Sequence, residues 1–235
     1  MMSRWQRWVS GIRLVRTSAR LLVGRHFWLA TLPPLVWSGV LAIMLLTGIG
    51  NMEAPEPADA QGKLIGFPLA VLAIFLGVRV IAGEVDARRL EIAYTVPGGS
   101  HRVWLAKLAA AWGLLVVSEV LLAGVAYAFF TSYPPGALYG ALQAATVYLV
   151  VAMALAALFK SEVAGAMVTV LVFVLGVFLP GRFSPFWNPL AARGTDPTQL
   201  FAWTLQNRIG FLLFIVAVVA LGFARAERRE KMLAG

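Results

Sequence analysis

Long, continuously apolar runs recur along this chain and limit its fold more than any other feature of the sequence. A helical crossing of a bilayer core about 30 Å thick needs roughly 20 apolar residues. Because apolar residues do not alternate with polar ones inside the runs, helices are favoured over the strands of a barrel. The six candidate crossings are residues 27–49, 64–83, 103–130, 137–159, 163–180 and 209–224.

Composition supports the same fold class. Of the 235 residues, 60% are hydrophobic and only 13% are charged, which is too apolar for a soluble domain of this size. No long linker, repeat or low-complexity segment divides the chain. We therefore predict an all-α polytopic membrane protein with six transmembrane helices in a single domain, residues 1–235.

The distribution of lysine and arginine predicts the orientation of these crossings. With the N-terminus inside, the cytoplasmic side receives every basic residue of the 20 except four, which are Lys63, Arg182, Arg193 and Arg208. Such a bias is typical of plasma or inner membrane proteins, so both termini are expected in the cytoplasm. This asymmetry and the anionic headgroups of a lipid bilayer account for the net charge of +9, so a nucleic-acid partner is not expected.

A charged segment interrupts the apolar runs between the second and third crossings. Its charged residues are Glu84, Asp86, Arg88, Arg89, Glu91, Arg102 and Lys107. The acids alternate with the arginines and with apolar Leu90 and Ile92, whereas a merely solvated loop that follows the positive-inside rule would explain only the arginines. Such a surface is able to form charge-assisted contacts with a partner. We predict a short cytoplasmic helix over 84–97 that ends at Pro97, where two glycines follow.

The order of residues in this segment resembles the first cytoplasmic loop of ABC-2 type permeases, the membrane subunits of one class of ATP-binding-cassette exporters. The family pattern is Glu-x-acidic-x-Gly-x-Leu-Glu, followed by Pro six residues later and Lys ten residues after that. The residues that match it in register are Glu84, Asp86, Leu90, Glu91, Pro97 and Lys107. Arg88 stands where the family usually has glycine.

The resemblance implies a coupling helix that docks on a separate ATP-binding-cassette ATPase. Residues expected at that interface are Glu84, Asp86, Arg88, Arg89, Leu90, Glu91 and Pro97. ATP and Mg would be held by the partner, which would drive alternating access and export of an amphiphilic substrate. A second copy of this chain or a homologous permease would complete the transporter.

Two further segments fit the same family. Residues 1–25 form a predicted amphipathic helix at the inner interface, interpreted either as a positive anchor that sets the topology or as the connecting helix of these permeases. Residues 181–208 contain three prolines and two tryptophans. A structureless loop of that length is uncommon, so one or two short helices are expected there, as in the re-entrant outer hairpin of the family. The alternative is an ordinary surface loop.

No pattern in the sequence indicates catalysis by this chain. A Gly-x-x-x-x-Gly-Lys-Ser/Thr phosphate loop is absent, so nucleotide binding is assigned to the partner. Cysteine is absent and the two histidines, His26 and His101, are far apart, which argues against a metal site. We expect a transporter subunit rather than an enzyme, with no cofactor of its own. The competing hypothesis is a non-transport membrane anchor or assembly scaffold subunit.

Glu119 is the one acid deep within an apolar run. A carboxylate at that depth is costly unless it is paired, protonated or faces water. Two interpretations stay open: a polar lining of a translocation path, or an interhelical polar contact within or between subunits. Arg79, one turn from the inner end of its run, is expected to reach toward the interface or to pair with the coupling segment.

Overall fold

A computed structural model describes residues 15–49, 54–86, 100–179, 181–192 and 194–227. Every regular element in these ranges is helical, which confirms the predicted all-α class. A helix over residues 15–23 precedes six longer ones. In chain order these are α1 (Leu32–Thr47), α2 (Phe67–Asp86), α3 (Ser100–Phe129), α4 (Pro135–Phe159), α5 (Glu162–Val177) and α6 (Pro197–Ala226).

Five helical stretches are long and apolar enough to cross a membrane. They are Phe27–Thr47, Pro57–Asp86, Ser100–Phe129, Pro135–Phe159 and Pro197–Ala226. The chain is therefore a membrane protein with several helices of spanning length. At 16 residues α5 is shorter; with a rise of about 1.5 Å per residue it covers roughly 24 Å, less than the bilayer core.

Short irregular helices lead into the first two long ones. A 3₁₀ turn, Phe27–Thr31, precedes α1, whose first turn contains Pro33 and Pro34, where a missing N–H costs little. Before α2 come a single turn, Pro57–Asp59, and a π-helix, Ala60–Gly66. The second helical stretch thus begins earlier than the predicted residue 64.

The centre of the bundle is formed by α2 and α4. Among the 18 most apolar consecutive residues of each stretch, 78% are buried in the stretch that contains α2. The corresponding shares are 28% for the stretch that contains α1 and 11% for α6. A Cβ atom on Gly77 would lie 2.8 Å from Cβ of Ala152, so the two backbones approach closely. Small residues permit such approach between membrane helices. Other alanines of α4 are also fully buried, namely Ala141, Ala144, Ala145, Ala156 and Ala157.

The N-terminal helix packs against this bundle. Ala19 and Leu22, both on the predicted apolar face, are buried, and the helix ends before Gly24, whose φ of 101° is left-handed. The described part of the predicted interfacial helix is therefore helical. Residues 1–14 of that prediction lie outside the described residues.

The last helix begins twelve residues earlier than predicted, at Pro197 rather than at residue 209. The predicted outer segment 181–208 is correspondingly shorter as a connection. It contains two 3₁₀ turns, Gly181–Phe183 and Pro189–Ala191. The connection is shorter than residues 181–208 because α6 begins at Pro197, and the re-entrant hairpin stays a prediction.

Candidate functional site

Three charged residues of the family-like pattern, Glu84, Asp86 and Lys107, lie at one end of the bundle. We call this end, where α2 ends and α3 and α5 begin, the Lys107 end; the opposite end, where α2 begins, is the Gln61 end. Nζ of Lys107 donates a hydrogen bond to Oε1 of Glu84 in an ion pair. The Lys107 side chain is 2% exposed and that of Glu84 is 13% exposed. Because a buried ammonium is costly without a partner, this pair fixes the end of α2 to α3.

A second set of contacts joins the end of α2 to the start of α5. Oδ2 of Asp86 accepts a hydrogen bond from the backbone N–H of Glu162, at 3.0 Å. Nε of Arg79 lies 3.3 Å from Oε2 of Glu162. Both acids sit at the N-terminus of α5, where the helix dipole favours negative charge. Asp86 therefore supplies a capping interaction to a helix that follows it by 76 residues.

Arg79 joins three elements at this end. It forms an ion pair with Glu162, and its Nη1 donates to the carbonyl oxygen of Leu22, at 3.3 Å. The guanidinium also lies over the ring of Phe75, 4.3 Å from its centroid. Arg79 thus ties the N-terminal helix to α2 and α5. The sequence offered one signal for this pairing, since Arg79 and Glu162 both lie at cytoplasmic ends of apolar runs in the predicted orientation.

The start of α3 is also joined to the end of α6. Nδ1 of His101 lies 3.6 Å from Oε1 of Glu227, with both side chains about half exposed. The rings of Trp104 and Phe223 contact one another, with centroids 5.9 Å apart. Contacts at the Lys107 end therefore link the N-terminal helix, α2, α3, α5 and α6.

The described members of the predicted interface are thus engaged within the chain. Glu84 pairs with Lys107 and Asp86 with α5, so the structure brings together the first and last residues of the family-like pattern. The other predicted interface residues, Arg88, Arg89, Leu90, Glu91 and Pro97, lie outside the described residues.

Glu119 is buried in α3, on the side that faces α4. Its carboxyl group lies beside the backbone of Leu142, and its Oε1 has no hydrogen-bond partner in the described part of the chain. The neighbouring Ser118 hydroxyl donates to the Leu114 carbonyl instead, at 2.8 Å. Near the end of α3, the phenol of Tyr133 donates to the Ala123 carbonyl at 2.6 Å; burial, and secondarily the charge of Glu119, raise the pKa of Tyr133. Both interpretations of Glu119 stay predictions.

Polar contacts at the Gln61 end hold the connection between α5 and α6. Nδ2 of Asn207 donates to the carbonyls of Arg182, at 2.8 Å, and Ser184, at 3.0 Å. The Asn207 side-chain oxygen accepts from Nε2 of Gln143 in α4, at 3.4 Å. Nη1 of Arg208 donates to the Gln143 side-chain oxygen, at 3.1 Å. One buried amide in α6 thus anchors the connection to two long helices.

The same connection contacts the residues that lead into α2. Nε2 of Gln61, in the π-helix, donates to the Trp187 carbonyl at 2.7 Å, and Nδ2 of Asn188 donates to the Ala58 carbonyl at 2.6 Å. The Trp187 indole donates to Oγ1 of Thr204, at 3.1 Å. The sequence pattern pointed to Trp187 as one of the aromatics of this segment, but not to Gln61, Asn188 or Thr204. Their signal is an isolated amide, such as Gln61 or Gln143, at the edge of an apolar run.

Replacing Asn207 with leucine is expected to release this connection. Two partly buried carbonyls would lose their donor, at a cost of about 1–3 kcal/mol. Hydrogen–deuterium exchange should increase over residues 181–192. The matched control is Gln206→Leu, because Gln206 is adjacent and exposed. Equal exchange in the two variants would contradict the anchoring role.

No similar protein was found that would identify the family of this chain. No group of three or more residues suited to hold a metal ion occurs in the ranges that the structure describes. No family model matches the chain, and neither a curated protein nor a solved structure matches it. The resemblance to ABC-2 type permeases therefore rests on the pattern over residues 84–107 and on the arrangement of apolar runs.

Proposed function

We propose that this chain is the membrane-spanning permease subunit of an ATP-driven exporter of the ABC-2 type. The observation that carries the proposal is the Glu84–Lys107 ion pair, which joins the two helices that flank the charged segment. A separate ATP-binding-cassette subunit would hold ATP and Mg and dock on that segment. A second permease, identical or homologous, would complete a two-fold assembly, and the substrate would be an amphiphile.

The contacts at the Lys107 end support coupling between such a motor and the membrane helices. A displacement of the segment between α2 and α3 would act on α3 through Lys107 and on α5 through Asp86 and Arg79. Both links are ion pairs or hydrogen bonds rather than apolar contacts. A tilt of α2 would therefore move α3 and α5 with it. Alternating access needs such joint movement of several helices.

The topology that belongs to this proposal has six crossings and both termini in the cytoplasm, in the plasma or inner membrane. α5 would cross together with the connection that follows it, and that connection would form the re-entrant outer hairpin. Its anchoring to α4 and α6 through Asn207 supports an ordered hairpin. Glu119 would lie between α3 and α4, either beside the translocation path or in an interhelical contact.

Charge reversal in the segment tests the proposal. Arg89→Glu or Glu91→Lys is expected to release the ATPase subunit, or to uncouple ATP hydrolysis from transport, because losing one partner of a desolvated ion pair costs about 2–5 kcal/mol. The measurement is affinity purification of the full chain from its own membranes, mass spectrometry of co-purified subunits, and ATPase activity. The control is Lys63→Glu, since Lys63 lies at the Gln61 end with its side chain 72% exposed.

Two outcomes would contradict the proposal. Wild-type recovery of an ATPase and wild-type coupling in both variants would show that the segment is a solvated loop. Purification with a soluble enzyme that lacks a phosphate loop would favour the membrane anchor or scaffold instead.

A further inference from the structure

A deep cleft separates the beginning of α1 from α2. It has a volume of about 730 Å³, within the range of roughly 300–1,000 Å³ typical of ligand sites. Its walls include the apolar side chains of Leu29, Pro33, Val36, Val40, Val71 and Phe75. The cleft lies beside the 3₁₀ turn that precedes α1 and the two prolines in the first turn of α1. This helix packs less closely than α2, since only 28% of the 18 most apolar residues of its stretch are buried.

Two basic side chains close one end of this cleft. Arg25 and His26 line it at the Lys107 end. Among the described residues, no carboxylate lies within ion-pair distance of either one. The His26 ring contacts that of Trp28 edge-on, with centroids 6.3 Å apart, and Trp28 is 55% exposed. Tryptophan and basic residues together are typical of the headgroup level of a bilayer.

An aromatic contact marks the other end of the cleft. The rings of Trp37 and Phe67 lie 4.8 Å apart between centroids. Both residues also line a second cavity of about 550 Å³, which reaches Leu41 and Met44 farther along α1. The ring pair therefore lies between two neighbouring cavities along α1.

The length of the cleft suits an extended lipid chain. From Ala30 to Val40 the cleft follows α1 for about 15 Å, at a rise of roughly 1.5 Å per residue. An extended acyl chain is thin enough to enter.

We propose that this cleft binds an anionic phospholipid. The phosphate would pair with Arg25 and His26, and an acyl chain would lie along Leu29, Val36 and Phe75 toward the Trp37–Phe67 contact. Since the Arg25 guanidinium has no carboxylate partner among the described residues, a negatively charged headgroup is favoured over a zwitterionic one. The site is independent of the proposed transport function, because it needs neither an ATPase nor a substrate.

Photolabelling of the purified full chain tests this site. The protein is reconstituted in phosphatidylcholine vesicles that contain a trace of phosphatidylglycerol or phosphatidylcholine with a diazirine on the acyl chain. We expect phosphatidylglycerol to label peptides of the cleft, around residues 29–40 and 71–75, about fivefold more than phosphatidylcholine does, as estimated for one basic side chain near an anionic lipid.

Two variants and two controls complete the experiment. Arg25→Gln removes the permanent charge and should lower labelling by phosphatidylglycerol about fivefold, whereas Arg20→Gln, on the preceding N-terminal helix, should not. Val36→Trp fills the cleft and should abolish labelling there, whereas Val120→Trp places the same bulk on an exposed face of α3. Both Val36, at 62%, and Val120, at 66%, are exposed enough to accept tryptophan. Equal labelling by the two lipids, or labelling unchanged by Arg25→Gln and Val36→Trp, would overturn the proposal.

Discussion

Glu84→Met is expected to lower the stability of this protein by about 3–5 kcal/mol, since the substitution leaves a buried ammonium without its partner. The Lys107 side chain is 2% exposed, so water cannot replace the lost carboxylate. Thermal unfolding of the purified chain in detergent measures the loss. In the proposed transporter the same variant would also weaken coupling, because α2 and α3 would no longer be joined at the Lys107 end.

A double substitution separates the charge from the packing. Glu84→Met combined with Lys107→Met should recover most of the lost stability, because replacing a buried ion pair with apolar side chains of similar volume is often neutral or stabilising. The control is His101→Gln, which removes the contact with Glu227, whose two side chains are 47% and 53% exposed, and should cost little. A Glu84→Met variant no less stable than His101→Gln would contradict the role of the pair.

Gly77→Val should destabilise the centre of the bundle. Even the first added carbon would lie 2.8 Å from Cβ of Ala152, and overpacking of this kind typically costs about 1–3 kcal/mol. Gly77→Ala should show a smaller loss of the same sign. The result follows from the close approach of α2 and α4, and unfolding in detergent again provides the measurement.

Gly113 in α3 provides a matched control for that prediction. A Cβ atom there meets nothing within 4 Å. Gly113→Ala should therefore stabilise the helix by about 0.5–1 kcal/mol, because alanine has a higher helix propensity than glycine. Identical substitutions in two helices should therefore shift the unfolding temperature in opposite directions. Shifts of the same sign would show that the α2–α4 contact is less tight than described.

The helices were largely predictable from the sequence, because an apolar run of membrane length has few alternatives to a helix. Their ends were less so. The start of α6 was missed because Gln199, Gln206 and Asn207 lower the local hydropathy, although Pro197 is a favourable first residue of a helix. Asn207 is accommodated in the bundle because it donates hydrogen bonds to carbonyls of the preceding connection. A linear sequence pattern does not show those partners.

The candidate site was predictable only in part. The pattern over 84–107 singled out Glu84, Asp86 and Lys107, but their partners depend on how helix ends meet in space. Glu84 and Lys107 are 23 residues apart and Asp86 contacts α5 across 76 residues. Arg79 illustrates the limit. Its charge suits any acid at the Lys107 end, and the packing of the helices selects Glu162.

The π-helix Ala60–Gly66 sets the rotation of the preceding residues about the axis of α2. A π-turn accommodates one residue more than an α-turn, and Gly66 permits it here, since a Cβ atom at that position would collide with the Gln61 carbonyl. Conversion of this segment to α-helix would turn everything before it by about 100° about the axis of α2. Gln61 would then swing away from the Trp187 carbonyl and free the connection before α6, while the contacts at the Lys107 end stayed in place. The contact between Gln61 and the connection before α6 therefore depends on the π-turn and on glycine at position 66.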